Sequence, residues 1–127
     1  MSYLLDTNIF LEILLDQDKK EICKNFLEAH IGEIFISDFS LHSIGVILYK
    51  NNKADLFNAF IEDTLDKLEI ITLSKEKYKE IINIYNQHKL DFDDSYQFLL
   101  SQENQMTMAT QDADFKNVEN IISVQFL

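Results

Sequence analysis

A chain of 127 residues with 46% hydrophobic content is sized for one domain with one core, and this composition excludes a largely disordered protein. Its 11 basic residues, all lysine, face 22 acidic ones for a net charge of −11, the reverse of the arginine-rich footprint with which proteins usually hold a nucleic-acid backbone. No apolar run reaches the roughly 18 residues of a membrane span, the acidic start is not expected to be a secretory signal, and the lone Cys23 excludes an internal disulfide or a cysteine-built zinc site; a cytoplasmic protein is the expectation.

Tyr3-Leu4-Leu5 reads as a short buried strand, followed by a helix with Ile9, Phe10, Ile13 and Leu14 on one face. A second helix is expected from Lys19 to His30, with Ile22, Cys23, Phe26 and Leu27 inward, ending before Gly32. Glu33-Ile34-Phe35-Ile36 is the second strand. Ser37 or Asp38 then caps a helix running through Tyr49 and carrying Leu41, Ile44, Ile47 and Leu48. After a turn at Asn51-Asn52, the next helix spaces Leu56, Phe57, Phe60, Ile61 and Leu65 along one side. That spacing marks a core face, with a surface for a second subunit as the other reading of Phe57, Phe60 and Ile61. Leu68 to Leu73 reads as the third strand, and Ser74 as the cap of a helix holding Tyr78, Ile81, Ile82 and Tyr85. A helix from about Asp93 to Gln102, a strand at Met106–Ala109 and a last strand at Ile121–Val124 complete the pattern. Strands alternating with helices predict a parallel sheet covered on both faces, whose ligands bind beyond the carboxyl ends of the strands.

Three acidic clusters follow apolar runs: Asp6 after Leu4-Leu5; Asp91, Asp93 and Asp94 after Leu90; and Asp112 and Asp114 after Met108-Ala109-Thr110-Gln111. Each acid has a structural explanation: Asp6 as a helix cap, Asp91 with Asp94 as a capping box, Asp112 as the cap of a turn. Helix N-termini favour the ionised carboxylate, the form that a hard cation needs. Carboxylates gathered at one sheet edge repel one another, and a fold that gathers them usually also gathers a cation. Oxygen donors are the ligand set for Mg²⁺ or Mn²⁺. Asp94 leads directly into Ser95-Tyr96-Gln97 and ranks first in its cluster, with Asp93 second.

Leu5-Asp6-Thr7-Asn8-Ile9, Leu90-Asp91-Phe92-Asp93-Asp94-Ser95-Tyr96 and Thr110-Gln111-Asp112-Ala113-Asp114-Phe115, in this order, carry a resemblance to the PIN domain family. These are small Mg²⁺- or Mn²⁺-dependent ribonucleases that include the VapC toxins of bacterial toxin–antitoxin pairs. The resemblance spans nearly the whole chain and implies one PIN-like domain over residues 1–127, an α/β fold built as a three-layer α/β/α sandwich on a central parallel sheet. It implies that Asp6, Asp94 and Asp112 are catalytic metal ligands, with Asp93 and Asp114 as auxiliary candidates, and that Asn8 and Thr110 orient ligands or water. It further implies a divalent-metal endoribonuclease using Mg²⁺ or Mn²⁺, acting on RNA, with an antitoxin as partner, a homodimer as the assembled state, and no membrane contact.

The chain departs from the family pattern at one position. Ser43 stands in the helix after strand two where a glutamate is expected, and its neutral, short hydroxyl reaches an ion only through water. Asp38 and His42 share a different face of that helix, and His42 reads as a surface residue. The missing glutamate and the net charge support a rival reading, a catalytically weakened or inactive PIN-like domain acting as a protein-interaction module. A phospho-accepting receiver domain does not match the order of single acid, acidic pair and single acid. Gly32 and Gly45 alone cannot make a phosphate-binding loop.

Overall fold

The computed structural model describes residues 1–127. In chain order the elements are β1 (Tyr3–Leu5), α1 (Thr7–Leu14), α2 (Lys20–Ala29), β2 (Ile34–Ser37), α3 (Asp38–Lys50), α4 (Ala54–Asp63), β3 (Glu69–Ile71), α5 (Ile81–His88), α6 (Phe92–Asn104), β4 (Thr107–Thr110) and β5 (Val124–Phe126). Short 3-10 turns occupy Leu65–Lys67, Lys75–Glu80 and Ala113–Val118. The strands form one parallel sheet in the order β3-β2-β1-β4-β5, flanked by helices as expected.

Side chains alternate across a strand, and here the alternation divides the interior in two. Leu4 and Met108 point into one core, with Leu90, Phe98, Leu99 and Phe115. Their neighbours Leu5 and Ala109 point into the other, with Ile9, Phe10, Ile34, Ile44 and Leu48. α1 to α4 therefore cover one face, and α5, α6 and the 113–118 turn cover the other. This requires strands apolar on both sides, and Leu4 and Leu5 are both fully buried.

The order of the sheet positions the site. From β1 the chain steps outward to β2 and β3, then returns to β4 on the other side of β1. The carboxyl ends of β1 and β4 thus flank the point where winding reverses, the usual ligand crevice of an open parallel sheet. Met108 pairs with Leu4 and Ala109 with Leu5. The Asp6 amide donates to the Ala109 carbonyl at 2.9 Å, so the residues after both strands leave the sheet level with one another.

Several elements differ from the expectation. The last strand is Val124–Phe126, three residues beyond the predicted start. Ile121 and Ile122 instead close a turn by donating to the Val118 carbonyl, and only Ile122 enters the core. Register forces this, because Val124 and Phe126 stand opposite Met108 and Thr110. In α2 the inward pair is Cys23 and Leu27, four residues apart, whereas Ile22 lies about 100° round the helix and is exposed. The segment after Ser74 begins as a 3-10 turn, and α5 turns Ile84 inward while Tyr78, Ile82 and Tyr85 stay exposed. In α4 the core reading holds for Phe60, which is buried edge-on to Phe10 at 5.7 Å between ring centroids. Phe57 packs over Gly45, where an added Cβ would meet its ring at 3.3 Å. Leu65 falls outside α4, in the following turn.

Candidate metal centre

Asp6 is the first residue after β1 and the N-cap of α1; its Oδ1 accepts from the Thr7 amide at 2.8 Å. Its Oδ2 accepts from the Thr110 hydroxyl at 2.7 Å and from the Asn8 amide at 3.4 Å. The Thr110 hydroxyl in turn accepts from the Asp112 backbone amide at 2.9 Å. One buried threonine at the end of β4 therefore fixes the acids that follow both central strands. Asn8 adds a second tie by accepting from the Gln111 amide at 3.3 Å.

Asp94 comes from the other side of the crevice. Asp91 caps α6 by accepting from the Asp94 amide at 3.0 Å, which frees the Asp94 carboxylate from any capping duty. The residue is buried, and its Oδ2 has no hydrogen-bond partner. Asp112 caps the last 3-10 turn, its Oδ1 accepting from the Asp114 amide at 2.9 Å. Carboxylate oxygens of Asp94, Asp112 and Asp114 lie within 4.8 Å of one another. Asp6, Asn8, Ser43, Asp93, Asp94 and Asp112 all line one cavity of about 260 Å³. The tightest triad therefore contains Asp114 in place of Asp6, which stands across the same cavity with both oxygens already engaged.

The electrostatics record the crowding. Burial, then the charges of Asp112, Asp6 and Asp91, push the Asp94 carboxyl up to about 8. Asp6 is raised chiefly by burial, against hydrogen bonds from Thr110, the Thr7 amide and Gln97 that favour its anion, with the charge of Asp112 adding to the rise. Asp93 is raised by burial and by Asp91. None of the four ion pairs of the chain involves these acids, so no lysine neutralises the cluster. An orphaned buried carboxylate oxygen among hard oxygen donors, with no counter-charge from the chain, fits a divalent cation such as Mg²⁺ or Mn²⁺.

Sequence reasoning missed the support beneath the acids. Gln97 is fully buried, and its amide donates to the Ser40 hydroxyl at 2.7 Å, which also accepts from Thr7 at 2.8 Å. A glutamine inside the apolar run Tyr96 to Leu100, three residues after Asp94, was the available signal. Asp38 and His42 stand outside the acid cavity, and Asp38 instead accepts from the Tyr96 hydroxyl at 2.6 Å.

A parallel sheet covered on both faces, with acids gathered at its reversal point, defines a class of α/β protein with an acidic crevice at the carboxyl ends of its central strands. The PIN domain model matches residues 3–121, and the chain belongs to the PIN domain family. No curated protein matches it by sequence. Among solved structures it is similar to VapBC2 from Rickettsia felis bound to a DNA fragment from their promoter, at 23% identity and a TM-score of 0.80, covering 99% of this chain and 98% of that one. A toxin–antitoxin complex from Klebsiella pneumoniae is similar at 22% identity and a TM-score of 0.76, covering 98% and 96%. VapC20 of Mycobacterium tuberculosis, a sarcin-ricin loop cleaving toxin, is similar at 13% identity and a TM-score of 0.77, covering 91% and 93%. At these identities the likeness is one of fold.

Proposed function

We propose that the chain is a PIN-type endoribonuclease of the VapC kind that hydrolyses RNA phosphodiester bonds with Mg²⁺ or Mn²⁺. The observation that carries this reading is the gathering of carboxylate oxygens of Asp94, Asp112 and Asp114 within 4.8 Å of one another, with Asp94 buried and its Oδ2 without a hydrogen-bond partner. Asp94, Asp112 and Asp114 would hold the ion most directly, with Asp6 across the cavity and Asp93 at its rim. When bound, a divalent ion supplies acidified water and positive charge for the phosphate oxygens.

The remaining work falls to the chain itself. Thr110 and Asn8 fix the Asp6 carboxylate, and Asp91 fixes the first turn of α6 so that Asp94 enters the cavity at a set angle. Ser43, on the opposite wall, offers a hydroxyl to a water and no charge. In-line attack by water leaves a 5′-phosphate and a 3′-hydroxyl.

The test is cleavage of a panel of single-stranded RNAs by purified protein with Mg²⁺ or Mn²⁺, beside Asp6→Asn and Asp112→Asn. Cleavage by wild type with loss of at least about 10²-fold in the variants supports the reading, since each removes an electrostatic contribution of that size. Wild-type activity in Asp6→Asn abandons it. A second reading is favoured by Ser43 in the cavity wall and by the net charge of −11: an interaction module that has lost catalysis. A metal at 100 times its dissociation constant stabilises a folded protein by about 2.7 kcal/mol, and a melting temperature unmoved by either ion favours the module.

In this proposal residues 1–127 act as one PIN-like domain in the cytoplasm, held inactive by an antitoxin. The likeness to toxin–antitoxin complexes supports that partner. For a homodimer, the surface first considered on α4 is largely taken up by the core, and the exposed apolar residues Tyr78, Ile82, Tyr85 and Phe92 offer a better face. No helix is long and apolar enough to cross a membrane.

A further inference from the structure

We infer that the hollow beside the acid cavity is a nucleobase subsite, in which Phe92 and Tyr78 stack on the base next to the scissile phosphate and Asp38 selects it. The inference deepens the ribonuclease reading and rests on its placement of RNA at the acid cavity. Asp38, Phe39, His42, Tyr78, Phe92 and Tyr96 line this hollow of about 330 Å³, a size found among small-ligand sites. Phe39 lines the acid cavity as well, and Phe92 leads directly into Asp93, which lines that cavity too. The two spaces therefore adjoin. Four of the six lining side chains are aromatic. Tyr96 is buried, with the Phe39 and Tyr78 rings each 5.8 Å from it between centroids. Phe92 and Tyr78 are 55% and 48% exposed, so they add little to the core. Both also border the apolar hollow on α5 and so form the ridge between it and this one.

The polar groups decide what the hollow takes. The Tyr96 hydroxyl accepts from the Leu73 amide at 3.0 Å and donates to Asp38 Oδ1 at 2.6 Å. Asp38 Oδ1 also accepts from the Phe39 amide at 2.8 Å. Two donors fill the lone pairs of Oδ1, while Asp38 takes part in no ion pair and keeps Oδ2 open. A guanidinium is held best by both oxygens of a carboxylate, whereas one open oxygen suits a single N–H donor. Adenine and cytosine supply one through their exocyclic amines. Uracil offers its N–H only between two carbonyls, which the carboxylate repels. His42 is the sole side chain in either space able to carry positive charge, and no lysine lines them. Contacts from basic side chains to phosphate therefore contribute little, and a strand is held by the ion and by stacking, which accepts any base. The rings supply affinity and Asp38 supplies the choice.

The test is fluorescence anisotropy of labelled oligo(A), oligo(C) and oligo(U) RNA at low salt, with Ca²⁺ in place of Mn²⁺ so that binding is read apart from cleavage, beside a cleavage assay in Mn²⁺. Wild type is expected to bind oligo(A) and oligo(C) roughly 10-fold more tightly than oligo(U), the discrimination of one hydrogen bond to a charged group. Phe92→Ala is expected to weaken all three by roughly 5–100-fold, the range for a lost stacking contact, at an unchanged melting temperature because the ring is exposed. Asp38→Asn offers uracil an N–H as well as an oxygen and is expected to erase the preference. Should it fail to fold for want of the Tyr96 contact, Phe92→Ala and Tyr78→Ala carry the test. Affinities within twofold of wild type in folded Phe92→Ala overturn the subsite, and RNA cleavage that persists then leaves the ribonuclease reading standing without it. A preference for oligo(U), or one that Asp38→Asn leaves in place, overturns the selecting role of Asp38. Wild type that binds no oligonucleotide overturns the inference, and binding of acetyl-arginine amide in its stead assigns the hollow to a basic protein partner. The expected binding pattern with no cleavage in Mn²⁺ supports the subsite and ends the ribonuclease reading.

Discussion

Asp94→Asn in metal-free protein sets site chemistry against stability. The folded chain holds the Asp94 carboxyl at about 8 against an ordinary 3.8. Below pH about 4 the group is protonated in folded and unfolded chains alike and contributes no difference. As pH rises from there toward 8, the unfolded chain releases its proton while the folded chain retains it or ionises at a cost, so stability falls across that window. At pH 7 the span is about three units at about 1.4 kcal/mol each, a ceiling of about 4 kcal/mol. The carboxyl lines an open-mouthed cavity, and solvent screening discounts this to about 1–2 kcal/mol. Asn removes the charge and keeps the shape. In chelator at pH 7.5 the variant should therefore melt about 4–8 °C above wild type, at roughly 4 °C per kcal/mol for a chain of this size. The gap should close by pH 4. Adding Mn²⁺ should reverse the order, because wild type gains binding energy that the variant has lost. Differential scanning calorimetry at three pH values, with and without metal, reads all of this. A variant less stable than wild type in chelator at pH 7.5, or a gap that persists at pH 4, refutes the reasoning.

Thr110→Val removes the hydroxyl that donates to Asp6 and accepts from the Asp112 amide, and should cost about 1–3 kcal/mol by leaving buried groups unpaired. A urea midpoint shifted at constant slope measures it, and a change under about 0.5 kcal/mol contradicts it. Ser43→Glu adds a carboxylate to the cavity wall, so it should lower the metal-free melting temperature and tighten Mn²⁺ binding. It should also raise cleavage if the chain is a nuclease, whereas tighter binding with no cleavage favours the module.

Much of this site was legible because two of its acids sit where a buried strand ends. Leu4-Leu5 and Met108-Ala109 are apolar on both faces, the sequence mark of a central parallel strand, and the residues just beyond them must emerge at one edge. The strand order was not written in the sequence, so the pairing of Asp6 with Asp112 across the reversal point came only from the sheet. The Asp91 cap was readable, but the reciprocal half of a capping box does not form: Asp91 accepts from the Asp94 amide, and the Asp94 carboxylate is left free of capping. Gln97 escaped notice because a lone polar residue in an apolar run carries no periodicity. Two misreadings have separate causes. Ile22, adjacent to a core position, was read as inward, whereas a step of about 100° on the helix turns it out. The last strand was begun at Ile121, whereas its register with β4 starts it at Val124.

Counting carboxylate oxygens separates those engaged in caps and hydrogen bonds from those left without a partner. Asp6 commits Oδ1 to the Thr7 amide and Oδ2 to Thr110 and Asn8, which accounts for its place outside the tightest group. Asp112 commits only Oδ1, to the Asp114 amide. Asp94 gives no side-chain oxygen to a cap, and Asp114 reaches the group from the turn that Asp112 holds in place. The acids thus form a gradient from a fixed, hydrogen-bonded wall at Asp6 to unengaged oxygens at Asp94. The caps sit at positive helix N-termini that offset part of the mutual repulsion. Such a gradient keeps the cluster folded without an ion while leaving donors free for one, because the oxygens that stabilise the fold are different from those that face the cavity unpaired.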